Sequence, residues 1–471
     1  MVSALLDKSN PFYVKDRVYM HPFWHNMDPV SVLDYRYGTE EMRSVFRANS
    51  YLKFLLEVEA TLAESQAELG LIPDEAASEI RNGLDLVKRE RVEEIESEIN
   101  HDVMAVVKGL EEKIGNAGKW IHFGATSYDI VDTARALQHK KAIKLVESAL
   151  EKLITAICHL ASKHKNTVML GRTHGQWATP ITFGLKMAVF ASELERHRIR
   201  LTEIKPRILT GKFLGAVGSG AAMHPNTLEV QKLVCNKLNL NEPLATTQIL
   251  GRDRIAEVIA WGANLSTSVE KFTLEVRNLQ RSDIGEVAEA FNAEKQVGSS
   301  TMAQKKNPIT SENIGGLARI VRSVLYSSYE NNLQWHERDL ANSSNERIIL
   351  PQFYILLEYI LQKSENVFSN LYVNEEKMRR NLNGAGGLPM AEAFVIALGK
   401  TDLGRQEAHE LVRSITMSAE KKNISFNKNI KENKKIKEYL TKDEIESCLK
   451  PDNYIGHSHE IIKRVLDSIN A

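Results

Sequence analysis

The residues most able to do chemistry lie together in one segment, GSSTMAQKKNP, from Gly298 to Pro308. Ser299 and Ser300 supply hydroxyl groups, and Lys305 supplies a positive charge. The first glycine gives backbone freedom, and the final proline disfavours the helical conformation at the residue before it. This composition suits proton transfer and the stabilisation of an anion, although an ordinary polar loop between helices uses the same residue types.

A second candidate is His174, in the segment GRTHGQ. Imidazole can carry a proton near neutral pH, and the flanking glycines Gly171 and Gly175 would let the backbone approach a ligand. A lone histidine is, however, more often a hydrogen-bonded structural residue. His101, in NHDVMAVV, directly precedes an apolar run, which is equally typical of a helix start capped by Asn100 or Asp102.

Two further groups of polar residues suit anions. The segment WHERDLANSSNER contains Arg338, Ser343 and Arg347, and guanidinium groups bind phosphate in a bidentate manner. The same arginines could instead form surface ion pairs on a helix. Thr126 and Ser127 precede a long helical pattern, where free N–H groups attract anions; a helix N-cap is an alternative role that is compatible with binding.

The elements that position these residues are predicted from long stretches without glycine or proline. Three such stretches predict long helices that pack lengthwise in a bundle, and their length suggests that they are shared between subunits. Two of them carry apolar residues at alternating steps of three and four: Ile143, Val146, Leu150, Leu153, Ile157 and Leu160 in one, and Leu265, Val269, Phe272, Val276 and Leu279 in the other. The third runs from Leu317 to Leu350.

Strand signals are weak, so the predicted fold class is all-α with three helical domains. We place an N-terminal helical domain at residues 1–117, a central bundle with the Gly298–Pro308 segment at 118–372, and a C-terminal helical domain at 373–471.

Composition excludes several classes of protein. The 471 residues are 43% hydrophobic and 26% charged, with a formal net charge of +0, which is ordinary for a globular protein and gives no general case for nucleic-acid binding. No run approaches the roughly 20 apolar residues that span a bilayer, and the N-terminus lacks a signal-peptide pattern. The three cysteines have no metal-binding spacing, which favours a reducing, cytoplasmic setting: Cys158, Cys235 and Cys448.

The Gly298–Pro308 segment resembles the signature GSSxMPxKxNP of the fumarase/aspartase/argininosuccinate lyase superfamily, with Ala303 in place of a proline. Four other segments resemble one family of that superfamily, the adenylosuccinate lyases. They are NHDVMAVV (100–107), HFGATSYDIVDTA (122–134), GRTHGQWATPITFGLK (171–186) and TTQILGRDR (246–254). The resemblance runs from about Tyr35 to the C-terminus. Without the proline, the signature segment is expected to be less stiff.

The resemblance implies a β-elimination that releases fumarate from adenylosuccinate, giving AMP, and from the succinylated imidazole-carboxamide ribotide SAICAR, giving AICAR. It implies a small-molecule nucleotide substrate, no cofactor and no metal, and a homotetramer whose active sites are shared between subunits. The sequence agrees in that it contains no HExxH, no paired CxxC and no P-loop motif.

The resemblance also assigns roles. His174 is the general acid, Ser299 the base, and Lys305 the cation that supports the base and the anionic intermediate. Glu312 holds His174 and raises its proton affinity, and His101 has a supporting catalytic role. His122 lines the pocket. The substrate-binding residues are Arg36, Tyr37, Asn100, Asp102, Thr126, Ser127, Gln248, Asn307, Asn313, Arg338, Ser343 and Arg347.

Two alternatives remain at this stage. The chain could be another lyase of the superfamily, such as an argininosuccinate lyase or a carboxymuconate cycloisomerase, although the segments HDVMAVV (101–107) and 338–347 oppose this. It could also be a non-catalytic helical scaffold, which would be expected to have lost His174, Ser299 or Lys305. All three residues are present.

Overall fold

The computed structural model describes residues 30–290, 301–302 and 304–470. Within these residues the chain forms eighteen α-helices and four short strands, which confirms the predicted all-α class. The helices are α1 (Glu40–Phe46), α2 (Ala48–Glu68), α3 (Asp74–Gly83), α4 (Arg89–Ile99), α5 (Asp102–Ile114), α6 (Ser127–Lys163), α7 (Phe183–Ile208), α8 (Thr227–Leu238), α9 (Asp253–Leu279), α10 (Ile309–Glu330), α11 (Ala341–Ser369), α12 (Glu375–Gly384), α13 (Ala391–Gly399), α14 (Gly404–Lys421), α15 (Phe426–Glu432), α16 (Lys434–Tyr439), α17 (Lys442–Cys448) and α18 (Ser458–Asn470). The strands are β1 (Val168–Thr173), β2 (Gln176–Thr182), β3 (Val287–Ala288) and β4 (Tyr372–Val373).

The helices divide into two compact units that are not continuous in sequence. The first unit contains the described residues up to Ala142, together with Pro206–Arg252 and Asn331–Ile355. Its core lies where α2, α3, α5 and α8 bury their apolar faces, with Leu62, Ile80, Leu110 and Val230 all almost inaccessible to solvent.

The second unit contains Ile143–Lys205, Asp253–Glu330 and the described residues from Leu356 onward. Every residue of the two predicted apolar seams is buried, on α6 and α9 respectively. Helices α7 and α9 pack through a stack of Phe190 on Phe272, whose ring centroids are 4.1 Å apart. A small separate core forms in the C-terminal part around Phe394, Val412 and Phe426.

A β-hairpin, which the sequence pattern does not predict, interrupts the helices of the second unit. Strands β1 and β2 pair antiparallel, and Thr173 pairs with Gln176, so that His174 and Gly175 form the two-residue turn. Both turn residues have positive φ, 52° for His174 and 75° for Gly175, as a type I′ turn requires. The hairpin therefore places His174 at its tip.

The prediction of a third long helix is wrong over part of its length. Instead of one helix from Leu317 to Leu350, α10 ends at Glu330 and α11 begins at Ala341. The side chain of Asp339 accepts hydrogen bonds from the backbone N–H groups of Trp335 and Ala341, at 2.9 and 2.8 Å. It therefore folds the intervening turn and marks the start of α11, so an asparagine- and aspartate-rich segment ends a helix without glycine or proline.

The predicted division into three domains, at 1–117, 118–372 and 373–471, remains a prediction.

No single helix in the described ranges is long and apolar enough to cross a membrane. By length and composition only, one bent pair could, Glu375–Gly384 with Leu388–Gly399, whose arms meet at 78°.

Candidate active site

The described candidate residues fall into two groups, one in each unit, and each unit has a cavity that several of them line. In the first unit a cavity of about 620 Å³ is lined by three arginines and by hydroxyl-bearing residues of α6 and α11. We call it the arginine cavity and define it by Arg135, Arg338, Arg347, Ser127, Tyr128 and Ser343.

The Arg338 guanidinium is held in a fixed orientation. It lies 3.7 Å from the centroid of the Tyr128 ring, and its Nη1 donates to Oε1 of Gln248 at 2.7 Å. The Nε of Arg338 is buried and has no partner among the described residues. A planar, oriented guanidinium is suited to binding a phosphate or carboxylate.

Arg347 and the segment around His101 meet at the same cavity. Nη2 of Arg347 donates to Oδ2 of Asp102 at 2.8 Å, although both side chains are largely exposed. Asn100 ends α4 in the left-handed conformation, with φ of 54°. These residues all line the arginine cavity.

The N-cap of α5 is His101 itself and not Asn100 or Asp102, the two alternatives from the sequence. Nδ1 of His101 accepts a hydrogen bond from the backbone N–H of Met104 at 3.3 Å. Because Nδ1 acts as an acceptor, the neutral ring carries its proton on Nε2. His101 can therefore present an N–H donor while its own position is fixed by the helix start.

Thr126 and Ser127 lie at the start of α6, where both predicted roles are combined. Oδ2 of Asp129 accepts from the backbone N–H of Thr126 at 2.8 Å, which is one half of a capping box. Among the described residues, neither hydroxyl has a hydrogen-bond partner. The helix start is thus capped by another side chain, and the two hydroxyls remain available to a ligand.

The residues that line the arginine cavity but are not predicted from the sequence include Tyr51, Glu96 and Arg135. The Arg135 guanidinium lies 5.0 Å from the centroid of the Tyr51 ring. Burial raises the pKa of the Tyr51 hydroxyl, and burial together with the nearby Asp102 charge raises that of Glu96. Arg135 follows Thr126 on the same helix, but nothing in the local spacing separates it from an ordinary helix-surface arginine.

Arg36 and Tyr37 do not line this cavity. The Arg36 guanidinium lies 5.8 Å from the centroid of the Tyr37 ring, and the Tyr37 carbonyl accepts from Nη1 of Arg43. Gln248 reaches the cavity only through Arg338, and its Nε2 donates to the carbonyl of Ala216 at 2.9 Å.

His122 is held by a buried carboxylate. Its Nδ1 lies 2.7 Å from Oε1 of Glu59, whose side chain is only 1% exposed. Burial opposes the charged imidazole, but the Glu59 carboxylate outweighs burial, so that the pKa of His122 is raised. The pair fixes the segment that precedes Thr126.

In the second unit, Lys305, Asn307 and Glu312 line a cavity of about 800 Å³ together with Gln280 and Arg281. We call it the lysine cavity. The Lys305 and Glu312 side chains are exposed, and Asn313, which follows on α10, is half-buried. The resemblance places these residues around the signature segment, and the cavity brings Lys305, Asn307 and Glu312 together.

The start of α10 is anchored by a residue from before the signature segment. The Glu289 carboxylate accepts from the backbone N–H groups of Thr310 and Ser311, at 3.1 and 2.7 Å. Gln280 accepts from the backbone N–H of Glu289 and donates to the carbonyl of Lys306, at 2.9 and 3.2 Å. Glu289 and Gln280 therefore hold the end of the segment that carries Lys305.

The hairpin that carries His174 is fixed at its base. Arg172 makes two hydrogen bonds, at 2.8 and 2.7 Å, to the completely buried carboxylate of Glu286. His174 itself is exposed at the tip. Gly171 does not serve ligand approach as predicted: a Cβ there would lie 2.4 Å from the Thr179 carbonyl oxygen, so the residue allows close strand pairing.

The predicted contact between Glu312 and His174 is not present within the described part of this chain, where no hydrogen bond joins them. Ser299 and Ser300 lie outside the described residues. In the same described ranges, no group of three or more His, Cys, Asp or Glu side chains could hold a metal ion.

A set of buried charges behind the arginine cavity is also not predicted. Asp129 and Asp132, three residues apart on α6, bind Lys212 and Arg252 respectively, and all four side chains are at most 4% exposed. The signal that could have revealed them is two acids within the apolar helical stretch TSYDIVDTA, since buried acids need partners.

Comparisons with known proteins agree with these features. A family model described as "Lyase" matches residues 34–323, and one described as "Adenylosuccinate lyase C-terminus" matches residues 387–465. The chain is 46% identical over 442 residues to the adenylosuccinate lyase of Pyrococcus horikoshii, covering 93% of this chain and 98% of the relative.

Two solved structures are similar in fold. The fumarate lyase from Mesorhizobium sp. BNC1 superposes with a TM-score of 0.84 at 32% identity, covering 91% of this chain and 98% of that chain. The 3-carboxy-cis,cis-muconate lactonizing enzyme from Pseudomonas putida has a TM-score of 0.84 at 30% identity, with 93% and 98% covered.

Proposed function

The chain belongs to the adenylosuccinate lyase family, and we propose that it cleaves adenylosuccinate into AMP and fumarate, and SAICAR into AICAR and fumarate, in purine biosynthesis. The observation that carries this proposal is the arginine cavity, in which Arg338 and Arg347 flank Ser343 at the start of α11. Two guanidinium groups and a hydroxyl around one cavity are suited to a nucleotide phosphate.

The succinyl end of the substrate requires carboxylate-binding groups. We assign this role to Thr126 and Ser127, whose hydroxyls lie at the positive N-terminal end of α6, and to the Gln248 amide. Gln248 is hydrogen-bonded to Arg338. A residue assigned to the phosphate and a residue assigned to the succinyl group therefore form one hydrogen-bonded pair. Asn100, His101 and Asp102 orient the substrate between them.

The elimination breaks the C–N bond, takes a proton from the carbon beside a carboxylate, and gives a proton to the leaving nitrogen. We assign proton removal to Ser299 and proton delivery to His174. Lys305 stabilises the serine alkoxide and the anionic intermediate, while Asn307 and Asn313 support that segment and Glu312 supports His174. No metal or cofactor takes part in this scheme.

We propose that the enzyme is a cytoplasmic homotetramer whose active sites take residues from more than one chain. Exposed apolar side chains on the long helices support this, among them Val189 on α7 and Leu274 on α9, which are 54% and 45% exposed. Within the described part of the chain no hydrogen bond joins Glu312 to His174, and a pairing between chains would supply it.

An absorbance assay with purified protein tests the activity. Adenylosuccinate should be consumed with release of stoichiometric AMP and fumarate. Argininosuccinate and carboxymuconate serve as competing substrates: turnover of either one, with adenylosuccinate untouched, would place the chain in the alternative lyase group. No turnover of any substrate would favour the non-catalytic scaffold.

Mixing two inactive variants tests shared sites. His174→Ala and Ser299→Ala proteins, incubated under conditions that exchange subunits, should regain activity if the two residues of one site come from different chains. A monomer by light scattering, or exchanged hybrids without any recovery, would contradict this assembly.

A further inference from the structure

We propose that Lys212 is a positioning residue of the reaction, because its buried ion pair with Asp129 fixes the residues that grip the succinyl group of the substrate. The inference rests on the proposed function and adds a residue to it. Neither residue is among the candidate site residues, and neither lines the arginine cavity.

The pair is completely buried. Nζ of Lys212 lies 2.5 Å from Oδ1 of Asp129, and both side chains are 0% exposed. The Lys212 backbone is fixed as well, because its N–H donates to Oγ1 of Thr133 at 3.1 Å. Removing two charges from water is unfavourable unless each is paired and its remaining hydrogen-bonding capacity is used.

The remaining hydrogen bonds of the pair include bonds to the two segments that we assign to substrate binding. Oδ2 of Asp129 accepts from the backbone N–H of Thr126 at 2.8 Å, and Oδ1 accepts from that of Gly215 at 3.2 Å. Nζ of Lys212 donates to the carbonyl of Gln248 at 2.8 Å. One ion pair therefore fixes the backbone of Thr126 and of Gln248, which we assign to the succinyl carboxylates.

A neighbouring cluster of ion pairs fixes the segment that contains Gln248 at a second point, Leu250. Arg252 binds Asp132 through two nitrogens and Glu346 through Nε, with all three side chains at most 5% exposed. Oδ2 of Asp132 also accepts from the backbone N–H of Leu250 at 2.8 Å. Through these contacts, the first two turns of α6 hold the segment from Gln248 to Arg252 in place.

Stability alone does not require this chemistry. Well-packed apolar residues of similar volume often replace a buried ion pair without loss of stability. Apolar side chains could not, however, bind the N–H of Thr126 and the carbonyl of Gln248. The polar atoms of the pair are therefore directed at the backbone of the binding residues.

The test compares steady-state kinetics and stability of three variants. Lys212→Met should raise the KM for adenylosuccinate about tenfold while kcat changes less than about threefold, since the grip acts on substrate and transition state alike. Asp129→Asn should raise KM in the same direction. The double variant Lys212→Met/Asp129→Asn contains no unpaired buried charge, so it should recover stability lost by Lys212→Met, but not the KM.

Lys205→Met is the matched control, because Lys205 forms its ion pair, at 2.6 Å, with Glu147 of the second unit. Its KM should stay within about twofold of the wild type. If the double variant recovers both stability and KM, the pair is only structural and the inference is overturned. A wild-type KM in folded Lys212→Met or Asp129→Asn protein overturns it equally. Wild-type protein without activity would instead contradict the proposed function.

Discussion

The two units hold their candidate residues in different ways. In the first unit, buried ion pairs behind the arginine cavity fix the backbone of Thr126 and Gln248, and Arg338 is stacked and hydrogen-bonded. In the second unit, the proton-transfer candidate His174 is exposed at a hairpin tip, and the Lys305 side chain is exposed as well.

In the second unit, ion pairs and hydrogen bonds hold the bases of the two segments that carry His174 and Lys305. Arg172 fixes the hairpin two residues before His174, and Glu289 fixes the start of α10. We propose from this difference that the first unit preorganises substrate binding within one chain, whereas the proton-transfer groups gain their final partners from substrate or from another chain.

The largest effect is expected in the second unit. His174→Ala and Ser299→Ala should each lower kcat by at least about a hundredfold, since each removes a proton-transfer group, and both proteins should stay folded because each change removes only a polar side chain. His409→Ala, at a side chain that is 64% exposed, is the control and should retain full turnover. Near-normal kcat in either purified variant would remove that residue from its role.

The next effect concerns the arginine cavity. Arg338→Ala or Arg347→Ala should weaken AMP binding by roughly 2 kcal/mol, the scale of a hydrogen bond to a charged group. Calorimetric titration with AMP measures this. Arg91→Ala, which removes exposed ion pairs with Glu94 and Glu112, serves as the control. Unchanged affinity in a folded Arg338 or Arg347 variant would mean that the phosphate binds elsewhere.

The rigid frame of the first unit should also make it sensitive to acid. His139 is fully buried, its Nδ1 lies 2.9 Å from the Tyr354 hydroxyl, and its Nε2 has no partner among the described residues. Burial, with the charges of Arg135 and Arg252, lowers the pKa of His139 to about 3. Below its ordinary pKa of about 6.5, the unfolded chain takes up a proton that the folded chain refuses, so stability falls as pH falls.

Between pH 7.5 and 5.5 this contributes a loss of about 1.4 kcal/mol in unfolding free energy. His139→Asn should lose that much less than the wild type over the same interval, measured by chemical unfolding at fixed protein concentration. His409→Asn, an exposed control, should follow the wild type. Parallel pH profiles for wild type and His139→Asn would show that His139 does not limit stability in acid.

Local patterns in the sequence predict the helical class and much of the candidate site. The seams of α6 and α9 follow from apolar spacing, and the residues around His101 and Arg347 follow from motif resemblance. The hairpin at His174 is not predicted, because no run of alternating β-branched residues marks its strands and a His-Gly turn is an uncommon type I′ signal. The Lys212–Asp129 pair is not predicted either, since its members are 83 residues apart and only the folded chain brings them together.

The smallest expected effect tests how firmly the second unit anchors its catalytic segment. The Glu289 carboxylate caps α10 by accepting hydrogen bonds from the backbone N–H groups of Thr310 and Ser311. In the sequence these two residues directly precede Glu312 and closely follow Lys305. Glu289→Gln keeps one acceptor, but its amide group cannot accept the second bond and removes the negative charge from the helix start. It should lower unfolding free energy by about 1 kcal/mol and kcat/KM by about fivefold. Glu270→Gln, which weakens an ion pair with Arg322 between α9 and α10, is the matched control and should affect stability without the loss of kcat/KM. If the two variants lose the same activity, Glu289 has no specific part in holding the segment. A hundredfold loss in Glu289→Gln would instead show that this anchor matters more to the second unit than the Lys212–Asp129 ion pair matters to the first.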